Sequence, residues 1–254
     1  MDNMAFDSQR IAEGYARRPW LHKKVIEQMK ADCNIECLEN GLDVGCGAGL
    51  STKALRTLCN HVTGTDISSE MIAVCESVYK DSSYTFYVSK AEENEIPIIA
   101  YDIITASGVV NWVDKDLFLD NAKKILRSNG LIVIYDFWIT DRMENNFEYT
   151  EWYQKKYIKM FPKPYRKEYV WKQNDLMDDF IMENQITYNL THEFSLGEFI
   201  DFMMIQSNVN EKIERGDLSV EEVRCWMESS LQPIFNGKSR TLIFEGYNWY
   251  IRKR

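Results

Sequence analysis

The stretch "LDVGCGAGLST" at 42–52 constrains the fold more than any other part of the chain. An apolar run meets three glycines, Gly45, Gly47 and Gly49, and a helical pattern starts at Ser51. Glycine lets a backbone turn sharply and come close to a ligand. A strand, a glycine loop and a helix in this order predict a ligand-binding loop beyond the carboxyl end of a strand in an open parallel sheet.

The pattern on both sides of this loop is a regular alternation of strands and helices. Strand patterns end at Gly45 and Asp66 and recur at 84–88, 101–106 and 131–137. Helical patterns separate them, starting near Ser51, Ser68 or Ser69, and Asp114 or Asp116, and "SNG" at 128–130 reads as a turn. Strands that are apolar on both faces and alternate with helices predict a doubly wound, mostly parallel sheet with helices on both faces.

The pattern changes after Phe137. Residues 138–172 hold ten aromatic residues among many charges and carry little strand signal, which indicates a helical insertion. A strand pattern at 186–195, a helix at 197–215 and a strand at 240–254 then complete a predicted seven-stranded sheet. The predicted segments are an N-terminal helical segment (1–35), a ligand-binding core (36–137), an aromatic helical cap insertion (138–185) and C-terminal strands with a helix (186–254).

Composition excludes several classes of protein. The 254 residues carry a net charge of −9, whereas a general nucleic-acid binder needs a basic surface, so no nucleic-acid partner is expected. The chain start has no apolar leader, and no window approaches the roughly 18 apolar residues of a membrane span, so we expect a cytoplasmic protein without a membrane partner. Six cysteines without a CxxC pair indicate reduced thiols and no metal site.

Glycine spacing and charge separate two classes of cofactor. A dinucleotide fingerprint is G-x-G-x-x-G, but here the third glycine comes one residue early and Leu50 follows it. Asp43 would be a poor neighbour for a diphosphate and a favourable one for a sulfonium or an ammonium. Asp66 closes the second strand, where a carboxylate can accept hydrogen bonds from both ribose hydroxyls. A helix N-cap is the other interpretation of Asp66.

Five stretches of the sequence resemble a known family as a set. They are "LDVGCGAG", "GTDISSEMI", "KAEENEIP", "YDIITASGVVNWVD" and "ILRSNGLIVIYDF". In order and spacing they are similar to the successive motifs of class I S-adenosylmethionine-dependent methyltransferases, which have a Rossmann-like fold. "GYARRPW" and "NWVD" resemble small-molecule enzymes of the trans-aconitate methyltransferase type within the type 11 group. The resemblance covers roughly residues 10–137 and the terminal strand, and it implies S-adenosylmethionine as cofactor and S-adenosylhomocysteine as product.

The resemblance implies a role for each end of the cofactor. The backbone of Gly45, Cys46 and Gly47 would line the methionine and ribose portion, with Asp43 linked to the ammonium directly or through water. Ser107, just past the fourth strand, would supply a carbonyl to the same ammonium.

The remaining implied cofactor residues surround the nucleoside. Asp66 would hold the ribose, while Ile67 and Met71 would pack against the adenine. Ala91 would donate its N–H to the adenine ring, and Glu92 would accept from the exocyclic amine. The residue before that alanine is often acidic or small in the family, whereas here it is Lys90.

Two further residues would act from the N-terminal helix. Tyr15 and Arg18 of "GYARRP" would close over the cofactor, with Arg18 as a carboxylate partner.

Methyl transfer from a sulfonium is an in-line displacement, so positioning and exclusion of water supply most of the acceleration. A hydroxyl, phenol or amine acceptor needs a general base, whereas a carboxylate or thiolate does not. The sequence shows no obvious base; His192 is a weak catalytic candidate, while His22 and His61 are interpreted as structural or solvated. Trp112 is a candidate for the wall of the substrate pocket, with simple packing as the alternative.

A local excess of positive charge suggests the acceptor class. Between Glu151 and Lys172 seven basic residues stand against two acidic ones, interleaved with aromatic residues. They could attract an organic or aromatic acid, or form a solvated helix face. The predicted function is therefore methyl transfer to a small acid. The alternatives are an RNA or protein methyltransferase, a non-catalytic cofactor-binding protein and an NAD(P)-dependent oxidoreductase.

Overall fold

The computed structural model describes residues 9–93, 96, 100–163 and 170–254. Parts of three predictions lie outside these residues: the chain start, the end of the motif "KAEENEIP", and Tyr165, Arg166, Lys167 and Tyr169 of the basic aromatic region.

Seven strands form one sheet in the order β3-β2-β1-β4-β5-β7-β6. Their bounds are β1 Leu38–Val44, β2 Cys59–Asp66, β3 Tyr84–Val88, β4 Tyr101–Ser107, β5 Leu126–Met143, β6 Phe180–Phe194 and β7 Arg240–Lys253. The first five strands are parallel neighbours, with Val44 of β1 opposite Thr65 of β2 and Ala106 of β4. The order reverses at β1, so β1 and β4 form the point where an open sheet of this kind binds its ligand.

β7 runs antiparallel to β5. Glu144, just after β5, donates its N–H to Thr241 O at the start of β7, while Arg252 near the end of β7 donates to Asn129 O near the start of β5. The sheet is therefore mixed, which confirms the predicted seven-stranded, mostly parallel architecture.

The described helices lie in the expected alternation. They are α1 Gln9–Ala16, α2 His22–Cys33, α3 Leu50–Leu55, α4 Ser69–Val78, α5 Lys115–Ile125, α6 Phe147–Trp152, α7 Ile158–Met160, α8 Leu196–Met204, α9 Ser207–Glu214 and α10 Val220–Phe235. A π-helical turn, Tyr153–Tyr157, joins α6 to α7. Of the two cap candidates at each site, Ser68 accepts from Met71 N before α4, and Asp114 accepts from two N–H groups before α5.

Three local predictions differ from the structure. The "SNG" segment is not a turn before β5, because β5 already begins at Leu126. It forms a bulge inside the strand, where Asn129 has φ +61° and the register against β4 shifts. β5 also continues to Met143, so the first residues assigned to the helical insertion are strand. The predicted helix at 197–215 is broken at Ile205 into α8 and α9, and α10 was not predicted.

The chain divides into two compact units. The sheet unit comprises residues 20–137, 167–188 and 246–254, and the helical unit comprises 1–19, 138–166 and 189–245. The four predicted segments have other boundaries and stay a prediction. In the sheet unit the core is built from β1, β4, β5 and α5, with Ile104, Ile132 and Leu119 fully buried. Within the described residues, no helix combines the length and hydropathy that a membrane crossing requires.

Candidate active site

The glycine loop between β1 and α3 has the backbone that glycine alone adopts easily. Gly45, Gly47 and Gly49 all have positive φ, at +65°, +51° and +87°. A Cβ added at Gly45 would overlap Val109 Cγ2, so the loop after β4 packs directly on this glycine. The two loops that follow β1 and β4 are thereby held together at the point where the strand order reverses.

Asp66 connects the end of β2 to the glycine loop. Its Oδ2 accepts from Gly47 N at 2.8 Å, and its Oδ1 accepts from Ser68 N at 3.0 Å. A backbone bond from Cys46 N to Thr65 O, 2.8 Å, fixes the same contact one residue earlier. The structure therefore brings three predicted cofactor residues, Cys46, Gly47 and Asp66, into direct association. The N-cap of α4 is Ser68, so Asp66 is not needed for that role.

Asp43 is fully buried beneath the loop. Its Oδ2 accepts from Ser51 Oγ at 2.6 Å and Thr52 Oγ1 at 2.7 Å, and its Oδ1 accepts from Thr105 Oγ1 at 2.8 Å. Burial raises the pKa of this carboxyl to about 6, against the lowering effect of the three hydroxyls. This geometry makes Asp43 a support that ties β1 to α3 and β4. The predicted link from Asp43 to a cofactor ammonium, direct or through water, stays a prediction.

The predicted adenine residues follow β2 and β3 in the sheet unit. Ile67 is 49% exposed next to Asp66, whereas Met71 is buried and donates its N–H to Ser68 Oγ. Ala91 accepts from Asn121 Nδ2 at 3.1 Å through its carbonyl.

Glu92 is tied to the loop after β4. Its Oε1 accepts from Asp114 N at 2.9 Å. One Glu92 oxygen is thus used within the protein, and an exocyclic amine would have to use the other.

The end of β4 is supported by a buried phenol. Ser107 lies opposite Tyr135 in the β4–β5 register, and its side chain hydrogen-bonds to the buried Tyr135 hydroxyl. His22 Nδ1 lies 2.9 Å from the same hydroxyl. Burial raises the pKa of Tyr135 well above its usual value, so it stays a neutral phenol. His22, interpreted from sequence as structural or solvated, thus belongs to a hydrogen-bonded chain that reaches Ser107.

Asp136 is a candidate that the sequence reasoning missed. A Cβ added at Gly108, which follows Ser107 with φ +67°, would lie 3.4 Å from Asp136 Oδ1. That oxygen accepts from Phe137 N at 2.8 Å. The carboxylate therefore lies beside the turn after β4. The signal was present in "LIVIYDF", where an acidic residue follows an apolar strand.

Trp112 follows the same turn and is 43% exposed, with its N–H donated to Val109 O at 2.8 Å. An exposed indole here is compatible with the predicted pocket wall.

Three predicted residues belong to the helical unit. The Arg18 guanidinium lies 3.6 Å from the centre of the Tyr15 ring, and His192 packs edge-on against Phe194 with ring centres 4.6 Å apart. Their roles toward the cofactor or the reaction stay predictions.

The residues around the glycine loop fit an adenosine-type ligand. If Gly45 carried a Cβ, the loop could not pack as closely on Val109. The Asp66 carboxylate that orders the loop is the kind of acceptor that a ribose diol requires. Among the described residues, no group of three His, Cys, Asp or Glu side chains could hold a metal ion.

Comparisons with known proteins agree with this geometry. Residues 42–134 match the family model of the methyltransferase domain. A Dictyostelium discoideum protein named as a methyltransferase is 24% identical over 219 residues, which cover 83% of this chain and 80% of that protein. The ubiquinone biosynthesis O-methyltransferase of Bradyrhizobium diazoefficiens is 36% identical over 96 residues, 37% of this chain and 38% of the relative.

Solved structures show the same fold. A type II methyltransferase structure from Anaeromyxobacter dehalogenans aligns with a TM-score of 0.66 at 16% identity and covers 92% of this chain and 94% of its own. The matched segment runs from β1 to β5 and contains the glycine loop, Asp66 and the β4 turn. Residues 42–134 therefore match a methyltransferase domain, in a chain that shares the fold of the aligned methyltransferase structure.

Proposed function

We propose that this protein binds S-adenosylmethionine at the glycine loop and transfers its methyl group to a small organic or aromatic acid. The observation that carries the proposal is the hydrogen bond from Gly47 N to Asp66, because it places a ribose acceptor against the loop that approaches the ligand. When bound, the cofactor supplies an electrophilic methyl group on a sulfonium.

The residues of the sheet unit have distinct tasks in this proposal. Asp66 binds the ribose hydroxyls, and Ile67 covers one face of the adenine with its exposed side chain. The loop backbone from Gly45 to Gly47 lines the remainder of the cofactor. Ser107, whose side chain is bonded to Tyr135, would offer its carbonyl to the ammonium.

Asp136 is our candidate for the general base. Its Oδ1 accepts from Phe137 N, which fixes the carboxylate beside Gly108, and the carboxylate would take the proton of an acceptor hydroxyl, phenol or amine. This carboxylate lies beside the turn after β4, within the sheet unit. A carboxylate acceptor would need no such base.

The basic residues between 151 and 172 give only part of the support for an organic acid as the methyl acceptor. Lys155 pairs with Glu151 at 2.5 Å on an exposed helix face, which is the solvated alternative. The Lys163 ammonium lies 5.6 Å from the centre of the Tyr153 ring. The acceptor class therefore rests on this region and on the match to an O-methyltransferase of ubiquinone biosynthesis.

The test is formation of S-adenosylhomocysteine with a panel of acceptors. The panel should contain matched pairs, such as an aromatic acid and its amide, beside amines, RNA and a denatured protein mixture. We expect turnover with acids or phenolic acids and none with their amides. Turnover confined to RNA or protein would overturn the acceptor class, and cofactor binding without turnover on any acceptor would favour a non-catalytic protein.

A further inference from the structure

The helical unit contains a cavity of about 720 Å³ that the proposed function does not use. It is bounded by α1, the end of β6, α8 and the start of α10. This volume is in the range of small-molecule sites. Four arginines line it: Arg10, Arg17, Arg18 and Arg224.

Arg18 is held rigidly at this cavity. Its guanidinium lies 3.6 Å from the centre of the Tyr15 ring and 5.8 Å from that of Phe202. One of its terminal N–H groups donates to Ile205 O at 3.1 Å. Its Nε is buried and has no hydrogen-bond partner within the described part of the chain. A guanidinium ordered in this way loses little freedom when it binds an anion.

The other three arginines at the cavity each have a carboxylate partner. The pairs are Arg10 with Glu214, Arg17 with Glu13, and Arg224 with Asp201. Among the described residues, Arg18 has no such ion pair. Its charge is therefore the one that a ligand would neutralise.

The walls beside Arg18 are apolar. Phe194 is buried, Phe202 lies at the cavity, and Met204 and Ile205 close its side. A Cβ at Gly14 would lie 2.5 Å from Ile205 Cγ2, so α1 approaches the end of α8 closely and fixes this wall.

The acidic residues at the same cavity limit the charge of a ligand. Glu13, Glu198 and Asp201 also line it, and Glu198 stays ionised because its bonds to Ser195 lower its pKa. A second negative charge on a ligand would face these carboxylates.

We propose that this cavity binds a small organic monoacid, with its carboxylate on Arg18 and its apolar or aromatic body against Phe194 and Phe202. The proposal goes beyond methyl transfer, since the cavity is complete within the helical unit and the binding requires no cofactor. It also gives Arg18 a ligand other than the cofactor carboxylate that the sequence predicts for it.

Calorimetric titration of the full chain with benzoate tests the proposal, with benzamide as the uncharged ligand of the same shape. We expect benzoate to bind and benzamide to bind at least about tenfold more weakly. Arg18→Gln should weaken benzoate binding at least about tenfold. The affinity of Arg18→Lys for benzoate should fall between those of the wild type and Arg18→Gln. Arg215→Gln is the matched control, because Arg215 pairs with Glu211 on an exposed helix and does not line the cavity.

S-adenosylhomocysteine is titrated into the same proteins. Its affinity should be equal within about twofold for the wild type and Arg215→Gln. The proposal is overturned if benzoate does not bind to a folded protein, or if Arg18→Gln and Arg215→Gln weaken benzoate binding equally. It is also overturned if Arg18→Gln loses the binding of S-adenosylhomocysteine and keeps that of benzoate. Failure of the wild type to bind S-adenosylhomocysteine would contradict the proposed function and leave the benzoate result to stand by itself.

Discussion

The carboxylate of Asp66 accepts a hydrogen bond from the backbone N–H of Gly47 at 2.8 Å. This bond joins the end of β2 to the glycine loop after β1, so the group proposed to hold the ribose also fixes the loop beside it. The affinity of a ligand that donates to the Asp66 carboxylate and lies against the loop should therefore change when either Asp66 or a loop glycine is replaced.

Replacement of Asp66 by Asn should weaken binding of S-adenosylhomocysteine by roughly ten- to a hundredfold, because a charged acceptor for the ribose is lost. The fold should persist, although the amide oxygen can accept from only one of the two backbone N–H groups that the carboxylate holds. Calorimetric titration measures the affinity, and Asp120→Asn on the exposed face of α5 is the matched control. Equal affinities of the two variants would exclude ribose binding by Asp66.

Gly45→Ala should reduce both stability and cofactor binding. The new Cβ would overlap Val109 Cγ2 at a backbone with φ +65°, so we expect a loss of about 2–4 kcal/mol in the free energy of unfolding. Gly197→Ala is the control, because nothing lies within 4 Å of its Cβ position in α8. Urea unfolding of both variants gives the comparison. An unchanged midpoint for Gly45→Ala would mean that the two loops are not packed as described.

Asp43 makes stability depend on pH in an unusual direction for an acid. Its pKa in the folded protein is about 6, above that of an unfolded chain, so the folded state holds the proton more tightly. The stability from this group is complete below about pH 4 and is lost as the pH rises through 6. The loss should be on the order of 2–3 kcal/mol.

Denaturant unfolding of the wild type and Asp43→Asn between pH 4 and 7 isolates this effect. As the pH rises, the free energy of unfolding of the wild type should fall relative to that of Asp43→Asn, because the variant has no proton to release at this position. Parallel pH profiles for the two proteins would show that Asp43 is ionised throughout.

Much of the site was predictable because its signals are local. Glycines at 45, 47 and 49 and an acidic end to β2 specify the loop and its partner within 25 residues. The tasks of Asp43 and Asp136 were not predictable in the same way. Asp43 is enclosed by hydroxyls from α3 and β4, and Asp136 lies beside Gly108, a residue of another strand connection.

The later elements show the same limit for the fold. β5 continues through residues 138–143, which have no alternating apolar pattern, since pairing with β7 overrides local preference there. Ile205, at the break between α8 and α9, likewise lies against Gly14 of α1, a contact that the local sequence does not reveal.

Asp136→Asn should lower kcat for hydroxyl, phenol or amine acceptors by roughly 10²- to 10⁴-fold, the usual contribution of a general base. The affinity for S-adenosylhomocysteine should stay within about twofold of the wild type. In the pH profile of kcat, the rise that accompanies ionisation of the base should be present in the wild type and absent in the variant. A variant that changes KM while kcat is retained would assign Asp136 to acceptor binding and not to proton transfer.

The central claim is that the glycine loop and Asp66 bind a nucleoside sulfonium and not a dinucleotide. Calorimetric titration of the wild type with S-adenosylhomocysteine and, separately, with NADH and NADPH tests it most directly. We predict micromolar binding of S-adenosylhomocysteine that Asp66→Asn weakens, and no binding of either dinucleotide. Binding of NADH or NADPH by a protein that ignores S-adenosylhomocysteine would contradict the account.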